Sequence, residues 1–484
     1  MGRPEGQRVL SRVAVIGAGV GGLSVAARLA AAGHRVTVFE QADVVGGKLG
    51  RYQRSTPAGT FRFDTGPGLL TLPQVFEDLD LDLVPIDPIA RYVFPDGARL
   101  DSSRDPDEFA GRIAASLGPA AAGQWRRMWR RAERVWAASW RDVLTSTVDG
   151  PVDLLRMAWR VRDLAAIAPG RSLRSVSRRF ADPRLRMLLD RYATYAGADP
   201  RRAPAALVAI PYAELTFGGW YLRGGLGTLA DALLARCTEA GATVHPGVPV
   251  NRIDTAGGAV TGVTLVDGQR VPTDLVVANA DALTVYQHLL PTPKRAAALG
   301  ERSLAGFVLL LGVRGRTAGL AHHTVFFPSD HDAEFDAIFR TGVPVADPTI
   351  LVTVADDPAV RPDGYEAWFI LVNAPVQGAV DWTAPGVAEN YADSVLATLA
   401  RRGVEVRDRI EFREIRTPAD LAATTHSPGG AIYGGATHRL LRPANTGPVR
   451  GLYLVGGSVH PGGGLPMVTL SARIVAERIG PAGR

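Results

Sequence analysis

Apolar and polar positions follow two different periods along this chain, and the changes of period mark its elements. Near the start, Val13 to Ile16 form an unbroken apolar run closed by glycine. A helical period then starts near Gly21 and ends at Gly33, and a second extended stretch, Arg35 to Phe39, closes on Glu40. An apolar run of this length, bounded by glycine, reads as a strand buried on both faces. The order is therefore strand, turn, helix, strand. The far end repeats the plan. Leu452 to Val455 form a strand, Gly456 and Gly457 follow, and a Gly/Pro-rich loop leads to a helix from about Met467 to Ile479. Pro466 falls at the position where a fixed φ favours helix initiation. In the middle, AGFVLLLGV from Ala305, HTVFFP, TILVTV and AWFILVNAP read as strands of a second sheet. Turn signals such as Asp357-Pro358 and Pro362-Asp363-Gly364 separate them.

A different pattern occupies QWRRMWRRAERVWAASWRDVL, from Gln124 to Leu144, which holds four of the eight tryptophans. At about 100° per residue, Trp125, Trp129, Trp136 and Trp140 fall within roughly 60° of one another. Arg126, Arg127, Arg130, Arg134 and Arg141 fall opposite. This predicts an amphipathic helix with an aromatic edge and a basic back. Two roles fit it: the indoles pack into a helical subdomain, or they sit at membrane headgroup level with arginines on anionic phosphates. The same two roles apply to LLRMAWRVRDLAAIAP from Leu154.

The glycines carry the first chemical signal. Gly17, Gly19 and Gly22 supply G-x-G-x-x-G between strand and helix. That spacing lets backbone approach a pyrophosphate at a helix N-terminus, where free amides and the helix dipole favour an anion. Glu40 stands roughly 20 residues on, where a carboxylate accepts ribose hydroxyls. The doublet Gly46–Gly47, with Lys48 and Arg51 offering phosphate-directed charge, is similar to flavoproteins of the glutathione-reductase and amine-oxidase types rather than to simple NAD dehydrogenases. The start of the C-terminal helix would again present unpaired amides to an anion.

Composition narrows the class. Fifty-four basic against 48 acidic residues give a net charge of +6, enough to favour an anionic surface without naming one. The single cysteine, Cys237, excludes an internal disulfide and fits a reducing compartment. The nine histidines lack metal-ligand spacing, and no nucleophile turn or Walker loop occurs. His322 and His323, being adjacent, would point to opposite faces of a strand. The apolar start is not read as a signal peptide, and no window reaches the roughly 18 apolar residues of a membrane span.

Taken together, GAGVGGL, EQADVVGGK, FDTGPGLLTLP, GGWYLRGGLGTLADAL, GVPVNRI and LVGGSVHPGGGLPMV resemble the phytoene desaturase-type carotenoid desaturases, flavoproteins with an amine-oxidase-like fold. AHHTVFFP and EAWFILVNAP look closer to the hydroxycarotenoid 3,4-desaturase branch. The resemblance implies an α/β fold: a Rossmann-like FAD-binding domain, a mixed-sheet substrate domain and a helical subdomain able to associate with a membrane. The corresponding boundaries are 1–105, 210–292 and 416–484 for the FAD domain, 106–209 for the helical part and 293–415 for the sheet. Implied FAD contacts are Gly17, Ala18, Gly19, Gly21, Gly22, Leu23, Glu40, Gln41, Gly46, Gly47 and Lys48. Gly66 and Pro67 would approach the ring, and Val250 would hold adenine through its backbone. Gly456, Gly457, Pro466, Met467 and Val468 complete the set, Gly457 standing where related flavoproteins place an acid. The implied partners are an apolar polyene, an anionic membrane surface and oxygen or a quinone as electron acceptor, without nucleic acid. The implied location is cytoplasmic, at the inner face of the cell membrane. No residue is assigned as catalytic acid or base; His460 reads as shaping its loop, with acting on a proton as the alternative, and Asp64, Glu214, Tyr221 and Arg223 are weaker candidates. Alternatives on the same scaffold are carotenoid isomerases, ketolases, saturases and amine oxidases, and non-enzymatic lipid escorts like the Rab GDP-dissociation inhibitors.

Overall fold

The computed structural model describes residues 11–148, 161–436 and 442–482. Its first sheet has five parallel strands drawn from distant parts of the chain. In spatial order they are Leu452–Leu454, Leu275–Ala278, Arg12–Ile16 (β1), Arg35–Phe39 (β2) and Thr243–His245. β1 is central because it is apolar on both faces: Val13 lies beside Leu275 on one side and Val36 on the other. Helix Val20–Ala31 (α1) covers one face, with Leu23, Val25 and Leu29 wholly buried. It packs there with the helices Thr228–Glu239 and Leu465–Ile479. Cys237 is part of this core; burial pushes its thiol up to about 12, so it stays protonated and inert.

The second sheet has seven strands in the order Ile410–Arg416, Ala305–Arg314, Tyr365–Ala374, Ile350–Val354, His323–Phe326, Arg91–Val93 and Arg99–Asp101. All four runs read as strands from the sequence lie in it. Its last two strands are a hairpin from the segment grouped above with the cofactor region. Each long central strand is apolar on both faces. Phe307, Leu309 and Leu311 join Trp368 and Ile370 under the helix Val387–Arg401. On the other face Val308, Leu310, Ala367 and Phe369 meet Phe61 and Phe63 of the hairpin Arg51–Asp64.

The helical region opens with Pro106–Leu117 (α2), capped by the Asp105 carboxylate on the Asp107 and Glu108 amides. Pro119–Ser139 (α3) follows and widens into a final turn, Trp140–Leu144. The aromatic edge of α3 points inward. Trp125 is buried, edge-on to Phe109 at 5.2 Å and stacked on Phe180 at 6.3 Å. Trp129 meets Tyr212 at 4.9 Å and Trp136 meets Phe217 at 5.5 Å. Arg126, Arg127, Arg130 and Arg134 are exposed on the far side. Packing is therefore the role of these indoles. Of the stretch beginning at Leu154, residues 154–160 lie outside the described residues, and the rest enters the helix Val161–Ile167. Among the described residues no helix is long and apolar enough to cross a membrane.

Candidate functional site

The site begins where β1 ends. Gly17 has φ +96° and donates its amide to Phe39 O at 2.7 Å. A Cβ on Gly22 would stand 1.9 Å from Gly17 O, so the third glycine is needed for the helix to start against its own turn. Gly19 caps α1 without a side-chain bond, and no acid occupies the first turn. Elsewhere in the chain Asp105, Ser172, Asp182 and Thr417 fill this position with an oxygen acceptor. The amides of α1 are left for an acceptor from outside the helix. Leu23 offers none: its N–H goes to Gly19 O and its side chain is core.

Glu40 sits at the tip of β2, where Oε2 accepts from Ala18 N at 2.7 Å and Oε1 from Ala42 N at 2.9 Å. Each oxygen keeps a lone pair for a hydroxyl donor, and Gln41 follows at the same tip, half-buried. The strand bearing Val250 enters here, since Gly247 N and Val248 N donate to Ala42 O and Glu40 O. The doublet is drawn onto the fingerprint by Gly46 N to Ala18 O at 2.9 Å. A Cβ on Gly47 would stand 3.2 Å from Gly19 Cα.

The two cations expected to serve phosphate do otherwise. The Lys48 ammonium donates to Ser427 Oγ at 3.0 Å and to the carbonyls of Ala431 and Ile432 at 2.8 Å. Desolvation lowers its pKa to about 8. Arg51 goes to Gly227 O and the Asp231 carboxylate. These side chains tie distant loops to the glycine doublet, and the phosphate-directed charge read from the sequence is corrected accordingly.

The C-terminal corner closes on the same place. The link is Asn279, which the sequence reading missed. It follows the strand Leu275–Ala278, and its Nδ2 donates to Val455 O at 3.1 Å. Cβ atoms placed on Gly19, Gly21 or Gly456 would each fall 2.7–2.8 Å from the Asn279 carboxamide. One side chain thus fills the space that glycines from both termini leave. A polar residue at the carboxyl end of a parallel strand, where such sheets bind ligands, was the available signal. Val468 lies on Gly21, within 3.0 Å of a Cβ placed there. Met467 and Val468 are half-buried, and Pro466 lies in the first turn of a helix that again lacks a side-chain cap and a first-turn acid. Gly457 lies beside Gly463.

His460 is structural: it is buried, and its Nε2 lies 3.0 Å from both Val143 O and Ser146 O, pinning the glycine-rich loop to the end of the Trp helix. Asp64 accepts from the amides of Leu226 and Gly227 at 2.7 and 2.8 Å. Tyr221 donates to Asp357 at 3.0 Å, Tyr192 donates to Glu214 at 2.8 Å, and Arg223 pairs with Asp82 at the surface. The loop after Asp64 lies against the doublet, because a Cβ on Gly66 would stand 2.0 Å from Lys48 O; Pro67 follows, half-buried. Beside this loop opens a cavity of about 290 Å³, walled by Gly66, Gly68, Phe63, Ala367, Phe369, Tyr221, His322 and Thr353 among others. The two histidines do not lie on opposite faces. The strand starts only at His323, and the two rings lie 4.7 Å apart.

A parallel sheet whose first glycine turn, acid and C-terminal glycine corner meet at one point defines a flavin-dinucleotide oxidoreductase. A family model described as flavin containing amine oxidoreductase matches residues 20–322. The chain belongs to that family, and its cofactor is FAD. A 4,4'-diapolycopene oxygenase from Methylomonas sp is 35% identical, covering 97% of this chain and 98% of its own. A 1-hydroxycarotenoid 3,4-desaturase from Flavobacterium sp. (strain P99-3) is 28% identical, covering 97% and 99%. The crystal structure of an oxidoreductase from Methanosarcina mazei superimposes with a TM-score of 0.64 over 96% of this chain and 100% of that one, at 18% identity. It shares the fold.

Proposed function

We propose that the chain is an FAD-dependent desaturase of a carotenoid or related polyene. The observation that carries the reading is the meeting of the two glycine corners at Asn279. A cavity opens at the Gly66–Gly68 loop, with Phe63, Ala367 and Phe369 on its wall together with polar side chains such as Arg51, Arg62 and Asp64. The donor chemistry fits a dinucleotide. Two uncapped, acid-free helix starts accept anions, Glu40 accepts ribose hydroxyls, and bare glycine backbone allows close approach.

Gly17, Ala18, Gly19, Gly21 and Gly22 would hold the pyrophosphate, with Glu40 and Gln41 on the ribose and the Val250 backbone on adenine. Gly46, Gly47, Gly66 and Pro67, with Gly456, Gly457, Pro466, Met467 and Val468, would enclose the ring. Lys48 would act indirectly, by holding the loop 427–432. FAD, when bound, supplies an acceptor for the hydride, which carries the electron pair of the broken allylic C–H bond. The chain's part is to lay the polyene along apolar walls, keep water out and fix which carbon faces the acceptor. A proton leaves the neighbouring carbon, and the product is one double bond longer in conjugation. The three-part division of the chain follows the same reading: a cofactor domain, a sheet floor and a helical cover. The exposed arginines of α3 would rest on anionic lipid at the inner face of the cell membrane, and oxygen or a quinone would reoxidise the flavin.

The relatives' names favour a second reading, oxygenation of the polyene end. Product mass separates the two. Expression in bacteria that accumulate acyclic polyenes, with or without a hydroxyl end, should yield pigment lighter by two hydrogens per step. Pigment heavier by oxygen would replace the reading with the second one.

A further inference from the structure

Two charged side chains are buried together beside the C-terminal glycine corner. The Arg302 side chain is 10% exposed and that of Asp281 5%, and Arg302 Nη2 donates to Asp281 Oδ2 at 2.7 Å. The other Asp281 oxygen accepts from Leu283 N at 2.9 Å. Arg302 Nε and Nη1 meet no acceptor and are fully enclosed, so this group acts on a ligand through its charge and not by contact. Lys48 adds a second cation, close enough to feel the charges of both Asp281 and Arg302. Its own hydrogen bonds go to neutral oxygens, Ser427 Oγ and the carbonyls of Ala431 and Ile432. With a pKa of about 8, Lys48 is still mainly charged near neutral pH. Two cations therefore share the Asp281 carboxylate, and the cluster is net positive. Arg442, of the same sign, donates to Gly457 O at 3.0 Å and to Tyr433 O at 2.7 Å.

The cluster lies against both glycine corners. Lys48 directly follows Gly46–Gly47, and Asp281 closely follows Asn279. Beside Asp281, Ala282 N donates to Ser458 Oγ at 3.0 Å, in the loop that leaves Gly456–Gly457. A Cβ on Gly434 would stand 3.1 Å from Asp281 Oδ2 and 2.6 Å from Ser458 Cβ, so bare backbone keeps the carboxylate and that loop together. A Cβ on Gly462 would stand 3.4 Å from Arg442 Nε. Burying net charge costs free energy unless an opposite charge meets it. The loops around the cluster are the ones that would enclose the flavin ring. On accepting hydride, that ring takes up negative charge at N1 and the carbonyl beside it, where nearby protein charge tunes its electronics. Away from bulk water, charge acts strongly over such distances.

We infer that Lys48 and Arg302, outnumbering Asp281, hold positive charge behind the flavin ring and set its redox potential, favouring the anionic reduced form over the neutral oxidised one. The inference rests on the placement of the ring between the two glycine corners proposed above. It goes further by giving two side chains that touch no polyene a part in drawing hydride to the cofactor. The oxidised ring is uncharged, so the field does little for it and much for the reduced ring; only such a difference favours the reaction. Lys48 and Arg302 are in this sense positioning residues, acting through the flavin.

The test reads the flavin and needs no polyene. In the FAD-loaded protein the two-electron midpoint potential is measured against a reference dye. Sulfite affinity is read from the loss of oxidised-flavin absorbance, because sulfite adds to N5 and leaves the ring negatively charged. Lys48→Met removes a cation; it should weaken sulfite binding at least about tenfold and lower the potential by about 30 mV, the two-electron equivalent of tenfold. Asp281→Asn removes the carboxylate, still offers an oxygen to Leu283 N, and should move both readouts the opposite way by a similar factor. Lys48→Arg should stay near the unmodified protein. A loosened site would move both charge variants in the same direction, so opposite signs separate charge from packing. Tm and flavin absorbance confirm that each variant is folded and loaded, and the isosteric Asp281→Asn carries the test alone if Lys48→Met does not fold. A potential that Asp281→Asn lowers or leaves unchanged, or one that a loaded Lys48→Met fails to lower, would overturn the inference. Failure of the unmodified protein to retain FAD would instead overturn the site reading on which it rests.

Discussion

Asn279 carries no charge and belongs to no glycine motif, yet its carboxamide is where the two ends of the chain meet. Asn279→Leu would leave Val455 O without its donor and press branched carbon on Gly19, Gly21 and Gly456. Equilibrium dialysis should show FAD affinity falling at least about tenfold, an effect of the size expected for one unmet buried acceptor. Histidine burial makes a second prediction. His322, His323 and His331 are all held below the ordinary imidazole value, by desolvation first. They stay neutral in the fold while the unfolded chain protonates below about 6.5. The unfolded state then binds more protons, so stability is lost as pH falls from about 6.5 towards 4. Tm measured across that window should drop, and His322→Leu should flatten part of the drop. A Tm independent of pH there would contradict the burial. Glu40 was legible from sequence because its partners, Ala18 and Ala42, are near in the chain. Lys48 was misread because Ser427 and Ala431 are far along it, and nothing local distinguishes a lysine aimed at phosphate from one aimed at loop carbonyls.

At the scale of elements, α3 separates what periodicity shows from what it leaves open. The spacing of four tryptophans predicted the helix and its aromatic edge. It could not say whether that edge meets protein or lipid, because indole suits both. The deciding partners lie outside α3: Phe109, Tyr212 and Phe217 on other helices and Phe180 in the loop after the helix Leu173–Ser177. Trp125→Ala should cost about 3–5 kcal/mol of stability, read from denaturant unfolding. Replacing Arg126, Arg127, Arg130 and Arg134 with Gln should leave Tm nearly unchanged, since all four are exposed. If the helix cover rests on anionic lipid, flotation with anionic vesicles should weaken in that variant and in salt. Indifference to both would remove the membrane from the account. Four strands of the second sheet were legible as apolar runs, but the edge strand Ile410–Arg416 and the hairpin Arg91–Asp101 were not, being partly polar; the hairpin's pairing with His323–Phe326 is a tertiary contact.

Across the whole molecule, the first sheet is assembled from four separate segments of the chain, and the fingerprint at one end is unfinished without the corner from the other. FAD binding should therefore stabilise the fold globally. With free FAD at about 100 times its Kd, the gain expected from mass action is about 2.7 kcal/mol, visible as a higher Tm than that of the apoprotein. The claim beneath all of this is that one flavin, held between the two termini, faces a polyene. Anaerobic mixing of the FAD-loaded protein with an acyclic carotenoid precursor, followed by absorbance, tests it most directly. Oxidised-flavin absorbance should fall as the polyene bands move to longer wavelength, one flavin consumed per double bond formed. Flavin that stays oxidised beside a precursor shown to be bound would contradict the account.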